Sequence, residues 1–315
     1  MIRPVSINRL TASYGGRFRD AAYVELAQEH LLHWMSAEGL IHDEEVVFKG
    51  GSALRKFVFG ARGRFSVDLD FTINDRYYGE HILTVLQDGL EHKGVRFSLV
   101  GDVDMEALKA SWRAEVPSQP NLGRTSFPSR LDFSSRATML PPEARARAEI
   151  FGMEARYLDF EPVLIPVMSL VENSAEKLAR FRRLILARDT YDLSLLAEHV
   201  RGQLPLLREV LLYKVYFDVV VDKRGGTVPF HLESEYRDRG VREVIDAADL
   251  ASLTRERPDF AGMLHVISQT FGIMQPASGE FEGKLAQCSP GDRYLVEQRM
   301  MGRRDELRQY PVSRN

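Results

Sequence analysis

The nine residues Phe65-Ser-Val-Asp-Leu-Asp-Phe-Thr-Ile73 alternate between apolar and polar side chains with a period of two. That period belongs to a β-strand, in which successive side chains leave opposite faces and residues i and i+2 share one. Val67, Leu69 and Phe71 therefore fall on one face and must cover a core. Asp68 and Asp70 fall together on the other, roughly 6.5–7 Å apart along the chain. Two carboxylates held so close repel each other, and partial burial adds a desolvation cost. A hard divalent cation relieves both penalties, and Mg²⁺ commonly takes one or two carboxylates plus substrate phosphates. Two such ions can polarise the attacking and leaving oxygens of an in-line phosphoryl displacement. A D-x-D pair alone is also common on solvated strand faces, so the surrounding sequence has to decide.

The preceding segment narrows the choice. Val46-Val47-Phe48 reads as a short apolar strand, Gly50-Gly51 breaks it, and Ser52 starts a helix. Glycines let a backbone approach a phosphate closely, and a helix start presents free amides. Gly50, Gly51 and Ser52 are therefore candidates to hold nucleotide phosphate, with the Ser52 hydroxyl as a further donor. Neither G-x-x-x-x-G-K-[ST] nor G-x-G-x-x-G is present. Strand, double glycine, helix and D-x-D strand together resemble the signature of polymerase-beta-like nucleotidyltransferases.

Further along, periodicity predicts helices over 20–38 and 79–92 and strands over 95–101, 108–116 and 126–134, with another over 145–152. From Pro162 and Pro166 onward the pattern turns helical. Ser169 and Glu172 fit a capping box opening a helix to about 186. A second helix begins near Asp189, placed as its N-cap, with Asp192 in the first turn. A third covers 205–221, and 241–273 and 292–309 complete the set. The expected fold is α/β: a nucleotidyltransferase sheet domain over 1–165, then a helical bundle domain over 166–315 that contributes to the active-site cleft.

The 315-residue chain carries a net charge of −3, which argues against indiscriminate nucleic-acid binding. Its cations cluster, however, at 124–147 and 177–188, where they read either as solvated helix faces or as a groove for polyphosphate or RNA. One cysteine, Cys288, excludes an intrachain disulfide and a Cys-rich zinc site. No apolar run approaches the ~20 residues a membrane span needs, and the first residues lack a secretory h-region. A cytoplasmic location is the expectation. His30 and His33, one helical turn apart, have no visible third ligand. Lys177 shares the edge of an apolar helix face with Phe181 and Leu184, where a lysine must snorkel or meet an anion.

Phe48-Lys-Gly-Gly-Ser-Ala-Leu-Arg-Lys56 followed by Arg64-Phe-Ser-Val-Asp-Leu-Asp-Phe71 closely resembles the AbiEii/AbiGii nucleotidyltransferase toxins of bacterial toxin–antitoxin and phage-defence systems, which include the mycobacterial MenT-type toxins. A second block, Glu176-Lys-Leu-Ala-Arg180 through Arg188-Asp-Thr-Tyr-Asp-Leu193, is similar to the family's helical motif, with Phe181 replacing a smaller pair. Arg130-Leu-Asp132 is similar to a strand motif in which the family has lysine before the acid. A block over 249–260 has a weaker family look.

The resemblance implies roles. Asp68 and Asp70 would bind Mg²⁺, two ions in all, and Asp132 would add a third carboxylate or act as the base for the incoming hydroxyl. Lys177 would meet the triphosphate, and at least one of Asp189 and Asp192 would help organise the site. Ser66 would brace the D-x-D strand, and Arg64, Arg180, Arg183 and Arg188 would contact phosphate or acceptor RNA. The implied reaction is transfer of NMP from an NTP to an RNA, with the tRNA 3′ end as acceptor, which blocks translation and calls for a cognate antitoxin. Two alternatives stand beside it: a nucleotidyltransferase acting on a protein or small molecule, and a non-catalytic RNA- or partner-binding module.

Overall fold

The computed structural model describes residues 7–8, 11–12, 19–41, 44–117, 124–145, 158, 160–161, 163–224, 226, 231–251, 253–274 and 293–309. The chain divides into two compact units. The first comprises Met1–Thr138, Pro142–Met168 and Ala251–Arg257, and the second Met139–Pro141, Ser169–Leu250 and Pro258–Asn315.

The first unit is built on a mixed eight-stranded sheet. Its strands are β1 (Val46–Lys49), β2 (Asp68–Ile73), β3 (Leu90–His92), β4 (Val95–Asp104), β5 (Lys109–Pro117), β6 (Arg124–Ser134), β7 (Glu143–Arg145) and β8 (Ile165–Val167), in the order β3-β4-β5-β6-β2-β1-β8-β7. β2 runs parallel to β6, and β1 runs parallel to β8; the other pairings are antiparallel. The helices described beside the sheet include α1 (Arg19–Ala37), α2 (Gly50–Leu54, continued by a π-helical turn over Arg55–Phe59) and α3 (Arg76–Gln87).

Alternation along the strands decides which face is covered. Phe48, Phe71 and Phe133 stand opposite one another on β1, β2 and β6, with ring centroids 5.0 and 5.3 Å apart. Such a ladder adds about 0.5–1.5 kcal/mol per ring pair beyond area burial. Leu69, Leu131, Ala110 and Trp112 continue the apolar face, and Tyr23 of α1 stacks on Phe127 at 4.6 Å. On α3, a Cβ at Gly79 would lie 2.9 Å from Ile73 Cδ1, so the missing side chain lets the helix approach β2 closely.

Two segments depart from the pattern. The helix predicted over 79–92 ends at Gln87; Gly89 adopts φ +70° and β3 follows. A left-handed glycine stops a helix, and three residues are too few for a strand to announce itself by periodicity. Of the strand predicted over 145–152, the observed β7 reaches Arg145, and 146–152 lie outside the described residues. The helix α1 and strands β4, β5 and β6 match their predicted spans within three residues.

The second unit is helical: α4 (Leu170–Phe181), α5 (Ala187–Val200), α6 (Leu204–Tyr216, continued by a π-helical turn over Phe217–Val221), α7 (Ala247–Ala251, whose last residue falls to the first unit), α8 (Phe260–Phe271) and α9 (Arg293–Gln309). Only half of the predicted capping box forms. Ser169 Oγ accepts from Glu172 N at 3.2 Å, but the Glu172 carboxylate accepts instead from the amides of Met139 and Leu140 and from Lys214 Nζ at 2.6 Å. The helix predicted to reach 186 stops at Phe181, because Ile185–Ala187 hydrogen-bond with Ile245 in extended backbone. The next helix consequently starts at Ala187, with Leu186 as its N-cap. Asp189 is therefore not a cap but a buried residue of the first turn. Among the described residues, no helix is long and apolar enough to cross a membrane.

Candidate active site

Within β2, Leu69 and Phe71 are buried while Asp68 and Asp70 are partly exposed on the opposite face. Val67, expected to cover the core, precedes the strand and is 42% exposed, and Thr72, on the carboxylate face, is buried with its hydroxyl donating to Ser134 O at 3.1 Å. β6, parallel to it, sets Arg130 beside Asp68 and Asp132 beside Asp70. With ~4.8 Å between neighbouring strands, the three carboxylates share one side of the sheet. Lys109 of β5 completes the row, its Nζ 2.9 Å from Asp132 Oδ2.

The glycine turn abuts this row. β1 pairs with β2 so that Lys49 faces Asp70, and the chain then reverses through Gly50 at φ +78°. A Cβ at position 50 would meet the Asp70 carboxylate, lying 3.1 Å from its Cγ; one at position 51 would lie 2.9 Å from Arg64 Cζ. Both glycines are thus explained by what fills the space above them, a carboxylate on one and a buried guanidinium on the other. Arg64 also donates from Nη1 to Phe65 O at 3.3 Å.

Ser52 is buried, and its hydroxyl donates to the Asp68 carbonyl. In this structure it braces the D-x-D strand, the part expected of Ser66. From the β6 side Ser129 donates to Val67 O in the same way. Ser66 enters through its backbone, its carbonyl accepting from Gln28 Nε2 at 3.1 Å.

A set of braces with no pattern in the local sequence lies beneath. Glu25, Gln28 and Glu29, at i, i+3 and i+4 on α1, project toward the glycine turn and its following loop. Arg55 pairs with Glu25 at 3.1 Å and also donates to Gly60 O and Gly63 O. Lys56 pairs with Glu29 at 2.9 Å. All four side chains are buried, where an ion pair holds geometry because losing either partner strands the other's charge. From the 249–260 block, Leu253 O accepts from Phe65 N at 2.8 Å.

In the second unit, Lys177, Asp189 and Asp192 come together. Lys177 Nζ is 3.2 Å from Asp189 Oδ1 and 2.8 Å from Asp192 Oδ2, all three side chains being at most 7% exposed. Arg180 Nη1 reaches Asp189 Oδ2 at 3.4 Å. Two cations thus face two carboxylates, and the anions that meet Lys177 here are the protein's own. Arg183 lies apart, pairing with Asp218 at 3.1 Å, and Arg188 is exposed on α5.

Among the described residues, no three His, Cys, Asp or Glu side chains form a ready-made cation cage. The donor set nonetheless fits Mg²⁺ in the mode that uses one or two carboxylates and completes its shell with phosphate and water. Asp68 and Asp70 supply hard oxygens on one face, and the absent side chain at Gly50 leaves room for the Asp70 carboxylate. The His30–His33 pair gains a neighbour: His92 Nδ1 lies 3.2 Å from His30 Nδ1, and its ring stacks on His33 at 4.9 Å. Burial, then the His33 and Lys93 charges, push His92 down to about 4.

A D-x-D strand flanked by a parallel strand that carries a third aspartate, and by a double-glycine turn, is the arrangement expected of a nucleotidyltransferase. The sequence model of the family described as "Nucleotidyl transferase AbiEii toxin, Type IV TA system" matches residues 38–266. The chain belongs to this family of nucleotidyltransferase toxins of type IV toxin–antitoxin systems. Its structure is similar to that of MenT4, a nucleotidyltransferase toxin from Mycobacterium tuberculosis H37Rv, with a TM-score of 0.78 and 28% identity over 96% of this chain and 99% of that one. JHP933 from Helicobacter pylori aligns with a TM-score of 0.40 and 16% identity, over 87% and 97% of the two chains. A comparison with curated protein sequences gave no match. Enzymes of this class use an NTP and divalent metal, and membership of a toxin–antitoxin family implies an antitoxin partner.

Proposed function

We propose that this toxin transfers NMP from an NTP to the 3′ end of an RNA, a tRNA in the first instance, with Mg²⁺ as the metal, and so blocks translation. The observation that carries the reading is the shared row of Asp68, Asp70 and Asp132 beside a glycine turn whose two missing side chains make room for Asp70 and Arg64. Asp68 and Asp70 would hold the metal, which when bound polarises the triphosphate and offsets charge on the departing pyrophosphate. Gly50 and Gly51 would let Asp70 and Arg64 stand close over the turn, the guanidinium supplying positive charge toward the phosphates. Ser52 and Ser129 would keep the strand in register, so the two carboxylates do not have to be ordered at each turnover. Asp132 would accept the proton of the attacking hydroxyl, with Lys109 orienting its carboxylate. Lys177, Arg180, Asp189 and Asp192 would form a charge-balanced cluster within the helical unit, and Arg183 and Arg188 would meet RNA. Action in the cytoplasm, where tRNA is charged, and a part in phage defence belong to the same reading.

Purified protein incubated with each labelled NTP, Mg²⁺ and total RNA tests this directly. Label is expected on tRNA-sized RNA with at least one NTP, and none with Asp68→Asn. Label on protein or on a small-molecule acceptor instead would replace the acceptor in this reading. No label on any acceptor from a folded enzyme would remove it.

A further inference from the structure

The acids occupy only the β2–β6 part of their sheet face, and the same face continues outward across β5 and β4. There the alternation is regular: Ala110, Trp112 and Ala114 of β5 are buried, while Lys109, Ser111 and Arg113 between them are exposed. Val95 and Phe97 of β4 point inward, and Arg96 points outward. Register turns these residues into a stepped line. Arg130 stands beside Asp68 and opposite Ser111; Arg113, two residues on, stands opposite Ser98; Arg96, two residues before Ser98, completes the line. Diagonal neighbours on adjacent strands are roughly 7–8 Å apart. Three guanidinium groups therefore lead away from the acids in even steps, a spacing that successive phosphates of an extended strand can follow.

The partners on this face hold the guanidiniums loosely. Arg113 Nε lies 3.7 Å from Glu115 and Arg96 3.6 Å from Glu91, with about half of each arginine side chain exposed. Such pairs are weak and screened by water and salt, so the arginines can exchange them for a stronger anion. Arg130 makes no ion pair with any described residue. Ser98, which accepts from Arg113 Nε at 3.3 Å, and Ser111 add hydroxyls. Among the described residues the line carries no aromatic ring on which a base could stack, and the exposed Val100 opposite Ser111 does not make a cluster of large apolar side chains of the kind that anchors a protein partner.

We infer that Arg130, Arg113 and Arg96 form a track on the outer sheet face that binds the phosphodiester backbone of the RNA acceptor, as a sequence-independent guide toward Asp68 and Asp70. This rests on the reading of the enzyme as one that acts on RNA. Guanidinium is the side chain best matched to phosphate, and backbone contacts fix register without reading sequence.

Arg113→Glu and Arg96→Glu, both remote from the acids, test the track, with Arg113→Lys as the charge-preserving control. Two readouts are needed: binding of labelled bulk tRNA as a function of salt, and KM against kcat for RNA labelling at saturating NTP. Each glutamate variant is expected to raise the KM for RNA several-fold with kcat unchanged. Each should also flatten the slope of log K against log salt by about 0.7–0.9, and Arg113→Lys should recover most of both. Unchanged KM and slope in a wild type that labels RNA would overturn the track while leaving the proposed function standing. Loss of antitoxin capture with RNA binding intact would assign the face to a protein and overturn it equally. If the wild type labels no RNA, the salt-dependent binding still decides, since it does not depend on turnover: equal slopes in wild type and variants reject the track.

Discussion

The carboxylate of Asp70 fills the space that a side chain on Gly50 would need. These residues are 20 apart in sequence and meet because β1 and β2 pair with Lys49 opposite Asp70. The glycine is thus tied both to its own left-handed backbone and to the position of a carboxylate on the next strand.

A substitution at this point is expected to damage the site more than the fold. Gly50→Ala carries roughly 1–2 kcal/mol of backbone strain at φ +78°, and it also has to push Asp70 aside. Gly51→Ala has no such backbone strain but displaces Arg64. Both should lower NMP transfer by at least about tenfold with modest loss of thermal stability. Gly302 makes the opposite case: it lies within α9, and an added Cβ would meet nothing within 4 Å. Gly302→Ala should stabilise by about 0.5–1 kcal/mol and leave activity alone. Melting curves beside turnover rates separate the three.

Removing a carboxylate should separate metal binding from folding. In metal-free buffer Asp68→Asn relieves repulsion with Asp70, so its melting temperature should equal or exceed that of the wild type. Mg²⁺ is expected to raise the wild-type melting temperature, since a ligand at 100 times its Kd contributes about 2.7 kcal/mol, and to leave Asp68→Asn nearly unmoved. Activity should drop about 100-fold or more, and chelation of the wild type should do the same. An Asp68→Asn protein that melts with the same Mg²⁺ dependence as the wild type would remove this residue from the metal site.

The parts of this site that could be read in the sequence are the local ones. Asp68 and Asp70 share a face because a strand has period two, whatever surrounds it. The Gly50-Gly51 turn is readable because a glycine pair directly after an apolar strand supplies the positive φ that a tight turn needs. Pairings that depend on register had no local trace: Lys109 meets Asp132, Ser52 reaches the Asp68 carbonyl, and Arg55 pairs with Glu25 only once strands and helices have docked. Asp189 looked like a helix cap because Asp favours that place in isolation. A backbone pairing of Leu186 with Ile245 starts the helix earlier and buries the carboxylate beside Lys177 instead. The strand β3 was hidden behind a helical pattern that Gly89, in retrospect, interrupts.

The quartet in the second unit, with Lys177, Asp189 and Asp192 buried and Arg180 partly exposed at its edge, yields a stability prediction. Lys177→Met leaves Asp189 and Asp192 without their shared ammonium, and a buried charge stripped of its partner costs about 3–5 kcal/mol. Arg180 still reaches Asp189, so the lower end is expected. Lys177→Met combined with Asp192→Asn should recover part of the loss, because the second change removes the carboxylate that Lys177 approaches most closely. A double variant as stable as the wild type but inactive, beside an active Asp192→Asn single variant, would assign Lys177 a direct role at the triphosphate; a double variant that is stable and active would confine the quartet to structure. Chemical denaturation with parallel turnover measurements reads both.

The histidine cluster is expected to set an acid limit on the first unit. His92 is held down to about 4 from an ordinary 6.5, chiefly by burial and then by the His33 and Lys93 charges; burial also lowers His33. A histidine whose folded pKa is depressed binds its proton more readily in the unfolded chain, so protonation favours unfolding. Stability is therefore whole above about pH 6.5, declines as the pH falls toward 4, and levels off below that for this group. Partial exposure of His92 and screening by salt moderate the effect. His92→Asn, which cannot take up the proton, should flatten the decline between pH 6.5 and 4, and high salt should shrink the difference between the two proteins. A wild type and His92→Asn whose melting temperatures fall in parallel across this window would show that carboxylates elsewhere, and not the imidazole packed against His30 and His33, set the acid limit.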